Sequence, residues 1–257
     1  MRKSRHQNIF RTRFANDIVA EVMFPERQTG KIAIIASGLP SSPVKKETLQ
    51  FLAAQGYVAI FPRYRGTWES EGNFLEHSPA KDIEDVIIDL VKKKSIYNLA
   101  TNEKEPVRVS VVHLFGGSFG GPAVLLNTDL PIVKKVVALS PVLDWSVEGK
   151  DEPFDFFVRY SREGFGGAFR PRHIKDWQKL IKTDFYNPIA HTAKIDGRKV
   201  FIIHSKDDTN VPYEPVIPFA QKTGATYYLK PKGGHRSFAY MSHKFYWKKI
   251  GKFLQTK

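Results

Sequence analysis

Residues 107–126, VRVSVVHLFGGSFGGPAVLL, constrain this chain more than any other stretch. Val107, Val109, Val111, Val112 and Leu114 make an apolar, β-branched run of the kind carried by a strand buried on both faces. Four glycines then flank Ser118 and Phe119 in Gly116-Gly117-Ser118-Phe119-Gly120-Gly121. Pro122 follows, where a helix's first turn has no partner for an N–H anyway, and 123–126 continue as a buried helix. The pattern is strand, sharp turn, helix. Such a turn needs neighbours almost without side chains, and it lifts the Ser118 hydroxyl above the sheet at the head of a helix. The G-x-S-x-G inside it is a moderate signal alone. The strand before and the helix after separate it from an idle serine in a glycine-rich loop.

Elsewhere the periodicity repeats that theme. Two alternating runs within 8–24, split by Asn16-Asp17, predict a hairpin at a sheet edge. A continuous apolar run at 31–36 predicts a strand, 57–61 a buried one, and 133–139, 199–204 and 226–230 further strands. Apolar residues at helical spacing predict helices over 43–55, 81–93, 213–222 and 242–254. From 145 to 195 the strand pattern lapses into an aromatic-rich insertion with short helical stretches. Strands alternating with helices imply an α/β fold with a mostly parallel sheet and helices on both faces.

With 257 residues and 42% apolar content, one domain spanning 1–257 can bury a sizeable core. The absence of cysteine excludes a disulfide framework and thiolate catalysis. The opening stretch MRKSRHQN is basic, but no apolar run follows that is long enough for a signal peptide or a membrane span. A cytoplasmic protein without a membrane partner is expected. The net charge is +14, and the basic residues are scattered over the whole chain, with short clusters such as Lys92-Lys93-Lys94. It reads as a solvated basic surface rather than a nucleic-acid site. Neither metal-ligand spacing nor a phosphate-binding loop is present. His113 and His204, within or at the end of strands, read as structural.

In a parallel α/β sheet the reactive crevice lies beyond the carboxyl ends of the strands. Three stretches follow strands there: Ser118 in its turn, Ser205-Lys206-Asp207-Asp208-Thr209-Asn210-Val211-Pro212, and Gly233-Gly234-His235. Serine, aspartate and histidine occur in that chain order. A serine hydroxyl is a poor nucleophile at neutral pH and needs an adjacent base. His235 can take the proton and return it to a leaving group. A carboxylate on the other ring nitrogen fixes the tautomer and stabilises the imidazolium. Asp208 is the preferred acid, since the Asp-x-x-Val-Pro spacing lets Val211 pack and start the next helix. Asp207 would then cap or solvate the loop, and Asp144 is a third, more distant candidate.

With these stretches in view, the chain resembles the α/β-hydrolases. More narrowly, it resembles the catalytic domain of the prolyl oligopeptidase family and related small carboxylesterases. Pro62-Arg63-Tyr64-Arg65-Gly66, the serine turn, Ser140-Pro141-Val142-Leu143-Asp144-Trp145, Asn187-Pro188-Ile189-Ala190 and 204–211 match in order, and Gly234-His235 completes the set. The resemblance implies an α/β-hydrolase fold with a small helical cap at 145–195. It also implies Ser118 as nucleophile, Asp208 as acid and His235 as base, with no cofactor. The oxyanion hole would be the backbone N–H of Phe119 and that of Leu39, or else Gly38. Two departures stand out. Ser37 replaces the His or Tyr that relatives carry before the glycine of the first loop, and Ser205 replaces a glycine. The propeller that sieves peptides in oligopeptidases has no counterpart before residue 31. The expected activity is serine-dependent cleavage of a small-molecule ester. A short-peptide peptidase and a non-catalytic binding protein are the alternatives. Arg159, Arg162, Arg170, Arg172 and Lys175 make 145–195 basic, which reads as a solvated face rather than as a site for an acidic substrate group.

Overall fold

The computed structural model describes residues 8–43, 45–182 and 184–256; the basic stretch 1–7 lies outside them. Among the described residues, ten strands and eight α-helices follow one another: β1 (Phe10–Phe14), β2 (Ile18–Met23), β3 (Lys31–Ala36), α1 (Lys46–Ala54), β4 (Tyr57–Pro62), α2 (Pro79–Lys93), β5 (Ser95–Asn98), β6 (Glu103–Pro106), β7 (Val111–Gly117), α3 (Gly120–Leu125), β8 (Val133–Leu139), α4 (Phe154–Glu163), α5 (Lys179–Lys182), β9 (Val200–Ser205), α6 (Val216–Thr223), β10 (Thr226–Lys230), α7 (Ala239–Ser242) and α8 (Lys244–Leu254). Eight strands form one sheet in the order β1-β2-β4-β3-β7-β8-β9-β10. The β1–β2 and β2–β4 pairings are antiparallel and the rest are parallel.

Every residue of β4 and β9 is buried, as is all of β3 after Lys31, because helices cover both faces of the sheet. One core joins the sheet to α2, α3 and α6 through Val86, Ile87, Val124 and Phe219. A second lies on the opposite face, where Leu49 and Leu52 of α1 and Ile250 of α8 meet Ile35, Phe115 and Ile203. This is the doubly covered α/β sheet that the alternating pattern predicts.

Several boundaries move. The central strand starts at Val111 rather than Val107, and it runs on through Gly117. Its register explains this. β3 pairs Lys31 with Val111, and the N–H groups of Ser110 and Val111 both bond to Gly30 O, while Val107 N–H is spent on Lys94 O at the end of α2. The β5–β6 hairpin has no precursor in the apolar pattern, because most of its residues are exposed or half-exposed. The helix read over 81–93 begins earlier, at Pro79 behind a Ser78 cap. The helix read over 242–254 is two, broken at His243, whose ring nitrogen accepts the N–H of Phe245 and caps α8. Between β8 and β9 lie α4, α5 and short 3-10 turns at Gly166–Ala168, Ile174–Gln178 and Pro188–His191.

Candidate active site

Ser118 sits between the end of β7 and the start of α3 with a φ of 53°. A non-glycine residue rarely holds this left-handed conformation, and the surroundings must enforce it. Ser118 N–H bonds to Leu139 O at 3.0 Å, and its own carbonyl accepts the N–H groups of Gly121 and Val142. The glycine at 120 is a requirement of space, since a Cβ there would lie 2.0 Å from the carbonyl oxygen of Ala36.

β9 and the loop after it position Asp208. Asp208 is buried and its carboxylate has four donors. Oδ1 accepts the backbone N–H of Asn210 at 3.1 Å and of Val211 at 3.0 Å. Oδ2 accepts Nδ1–H of His235 at 2.8 Å, and Nε2 of His204 lies 3.2 Å from the same oxygen. Burial resists ionisation of this carboxyl, but the bonds from His204 and His235 outweigh it and hold its pKa well below the usual carboxylate range. The neighbouring Asp207 takes the other role. It is exposed, and its two oxygens accept the N–H groups of Gly233 and Gly234 at 2.9 Å each, which ties down the turn carrying His235. The Ser140 hydroxyl donates to Arg236 O at 3.2 Å and docks the same turn beside the serine. Asp144 is a turn residue that accepts both the N–H and the hydroxyl of Ser146.

His204 was legible only as a structural histidine. Its Nε2 faces two acceptors, Asp208 Oδ2 and Val211 O at 3.0 Å, so that nitrogen carries the hydrogen. Nδ1 is buried without a partner. The signal available in the sequence was the i,i+4 spacing of His204 and Asp208 across a tight strand-to-loop turn.

The first loop lies against the serine. Gly38 approaches so closely that a Cβ on it would be 3.1 Å from Ser118 Cβ and 3.2 Å from Gly117 O. Ser37 and Ser41 hydroxyls share a 2.9 Å bond, Ser41 donates to Gly38 O, and the buried Tyr64 hydroxyl donates to Ser37 O at 2.9 Å. Among the described residues no backbone or side-chain acceptor takes the N–H of Leu39 or of Phe119. Phe119 is held from its other side, its carbonyl accepting the Tyr186 hydroxyl at 2.7 Å and its ring meeting those of Tyr64, Phe74, Trp145, Phe157 and Tyr186.

Leu39, Ser118 and Phe119 open together into a cleft walled by Val142, Leu143, Trp145, Phe154, Phe157 and Pro212. Its charged lining is acidic: Asp144, Glu148 and Glu152. Burial pushes the Glu152 carboxyl above its ordinary pKa, and Asn210 Nδ2 donates to it at 3.1 Å. The basic residues of 145–195 lie elsewhere. Arg170 donates to the carbonyls of Trp68, Gly167 and Ser70, Arg172 pairs with Glu76, and Arg159 lies over Phe156. His235 is partly exposed at the edge of this region, and among the described residues no hydrogen bond joins it to Ser118. Catalytic hydrogen bonds are often long in free enzymes and shorten when substrate fills the site.

The sequence pattern of the prolyl oligopeptidase family matches residues 43–254, most of the chain. The chain belongs to the prolyl oligopeptidase family. It is thus a serine hydrolase of a family whose structural relatives include esterases and peptidases. An esterase of Pyrococcus furiosus is similar at a TM-score of 0.67 and 16% identity, over 96% of this chain and 89% of that one. A thermophilic esterase of Thermogutta terrifontis is similar at 0.63 and 18%, over 98% and 92%. The acylaminoacyl peptidase of Pyrococcus horikoshii is similar at 0.63 and 15%, over 96% of this chain but 40% of the peptidase. At these identities the likeness shows the fold. No curated protein matches the chain. No helix among the described residues is long and apolar enough to cross a membrane.

Proposed function

We propose that this member of the prolyl oligopeptidase family is a cytoplasmic esterase that cleaves small, apolar, uncharged esters through an acyl-enzyme on Ser118. One hydrolase domain spans 1–257 in this reading, with 145–195 as its cap. His235 removes the Ser118 proton as Oγ attacks the ester carbon. The oxyanion is met by the free N–H groups of Phe119 and Leu39, donors fixed before the reaction and therefore needing no reorganisation. The C–O bond to the alcohol breaks, and the alcohol leaves with the proton held by His235. Water, deprotonated by the same ring, attacks the acyl carbon, and the acid leaves as Ser118 recovers its hydrogen. Asp208 stays ionised throughout and stabilises the imidazolium. The chemistry needs no cofactor.

The observation that carries the reading is the strained Ser118 opening into an apolar cleft beside two unengaged N–H groups. A fluorophosphonate probe with intact-mass detection tests it on wild type, Ser118→Ala and His235→Ala. Labelling of wild type alone is expected. A folded wild-type protein that never labels would overturn the reading in favour of a non-catalytic binding protein. Acyl-chain esters set against aminoacyl amides then separate esterase from short-peptide peptidase. The second reading is favoured by the family match itself and by the fold shared with the acylaminoacyl peptidase.

A further inference from the structure

The positive charge of this chain is not evenly spread. After Glu214 there are nine Lys and Arg and no Asp or Glu, so the last 43 residues hold nine of the net fourteen charges. The fold gathers much of this onto one face, because β10 is the outermost strand of the sheet and α8 packs beside it. Tyr228 of β10 meets the rings of Phe245 and Tyr246, and Lys230 lies over Tyr246. α8 turns Ile250 inward to the core and packs Trp247 and Phe253 beside it. Lys244, Lys248 and Lys252, at i,i+4 spacing, are exposed on the other side with Phe245.

Two features separate this face from an ordinary solvated surface. Elsewhere in the sequence acids are interspersed with the cations, and Arg63, Arg65, Lys81, Lys93 and Arg198 pair with carboxylates within 4.0 Å. Among the described residues, Lys244, Lys248, Lys249 and Lys252 make no such pair. Lys244 is moreover the first residue of α8, whose first turn has no acid. A helix N-terminus carries partial positive charge and favours an anion there. The cation therefore stands where helix stability disfavours it, which is what a surface shaped by an external anion would tolerate.

We infer that the β10–α8 face is a docking surface for an anionic lipid bilayer. Lysines act as point charges toward headgroup phosphates and carboxylates, each strengthening attachment about fivefold when brought near a negatively charged leaflet. Phe245, 49% exposed between Lys244, Lys248 and Lys249, supplies an apolar contact at the acyl boundary. Nucleic acid fits less well. Only Arg236 among the nine cations could grip a base edge in bidentate fashion. The Tyr228 ring face that a single strand would stack on is taken, since Lys249 Nζ lies 4.5 Å from its centre.

The test is co-sedimentation of the full-length chain with vesicles of phosphatidylcholine alone and of phosphatidylcholine with phosphatidylserine. Binding is expected only to the second, and it should be lost at high salt. Lys244→Gln/Lys248→Gln/Lys252→Gln should weaken it about a hundredfold. A triple variant of the same net charge, Lys150→Gln/Lys175→Gln/Lys194→Gln, should bind as wild type. Hydrolysis of a water-soluble ester and the melting temperature should be unchanged in both. Equal partition onto the two vesicle types, or equal loss in the two triple variants, would overturn the inference. So would tight binding of single-stranded RNA without vesicle binding. Sedimentation reads binding without turnover, so an inactive Ser118 would leave this inference standing.

Discussion

Gly38→Ala is the sharpest test of how the first loop serves the reaction. The backbone at 38 is outside the left-handed region, so alanine is allowed there and only space is at issue. The new methyl would lie 3.1 Å from Ser118 Cβ and 3.2 Å from Gly117 O, a few tenths of an ångström inside ordinary contact. Ser118 cannot yield, being pinned by its bonds to Leu139, Gly121 and Val142. The loop must give, and with it the N–H of Leu39. Losing an oxyanion donor outright costs about 10²–10³ in kcat. Displacing one of two by such a margin should cost about tenfold, or about 1.4 kcal/mol of transition-state stabilisation. The assay is kcat on a soluble activated ester together with the melting temperature. Gly120→Ala is the contrast. Its methyl would meet the Ala36 carbonyl oxygen at 2.0 Å, a backbone clash that repacks β3 against α3 and should lower the melting temperature sharply. If Gly38→Ala keeps full kcat, Leu39 is not an oxyanion donor. If it unfolds as Gly120→Ala does, the loop is structural.

Five further outcomes rest on the same geometry. Asp208→Asn should lower kcat about 10⁴-fold by presenting the wrong partner to His235. Because folding depresses the Asp208 pKa, its contribution to stability is present above the unfolded value of about 3.9 and fades as pH falls below it. Urea titrations should therefore show wild type and Asp208→Asn converging as the solution is acidified. His204→Leu removes one of the four donors on Asp208 and should reduce kcat about tenfold, while His204→Gln, which keeps an N–H in reach, should recover most of it; no difference between the two would make His204 a packing residue. The acid-lined cleft should prefer neutral esters over carboxylate-bearing ones at least tenfold in kcat/KM, and equal rates would show that Asp144, Glu148 and Glu152 do not face the substrate. Arg65→Ala should cost about 3–5 kcal/mol in urea unfolding. It would strip the buried Asp82, whose pKa burial has already raised to about 6, of its 2.6 Å partner and also release Asp17 and Asp85.

What could be read in the sequence and what could not divides along a physical line. The serine turn was legible because its requirements are local: a doubly buried strand writes β-branched residues, and a strand crossing a helix at van der Waals distance writes glycine. The positions of Asp208 and His235 were legible because a parallel sheet delivers the ends of its strands to one edge, whatever the loops do. Asp207 and Asp208 were separable on the same ground, and the structure shows two distinct sets of donors on them. What depends on non-local placement left little trace. The β5–β6 hairpin is mostly exposed and writes no alternation. The approach of His204 to Asp208 depends on the path of a four-residue turn. The arginines of 145–195 give the stretch a basic composition, yet Arg170 bonds to carbonyls and Arg172 to Glu76, while the acids that line the cleft, Asp144, Glu148 and Glu152, lie at or just before the start of the same stretch. Charge shows the same limit. A total of +14 says nothing about its arrangement until β10 is known to be the sheet's edge and α8 to lie beside it. Only then do the terminal lysines become a surface, and the acids around Ser118 a site of opposite character on the same molecule.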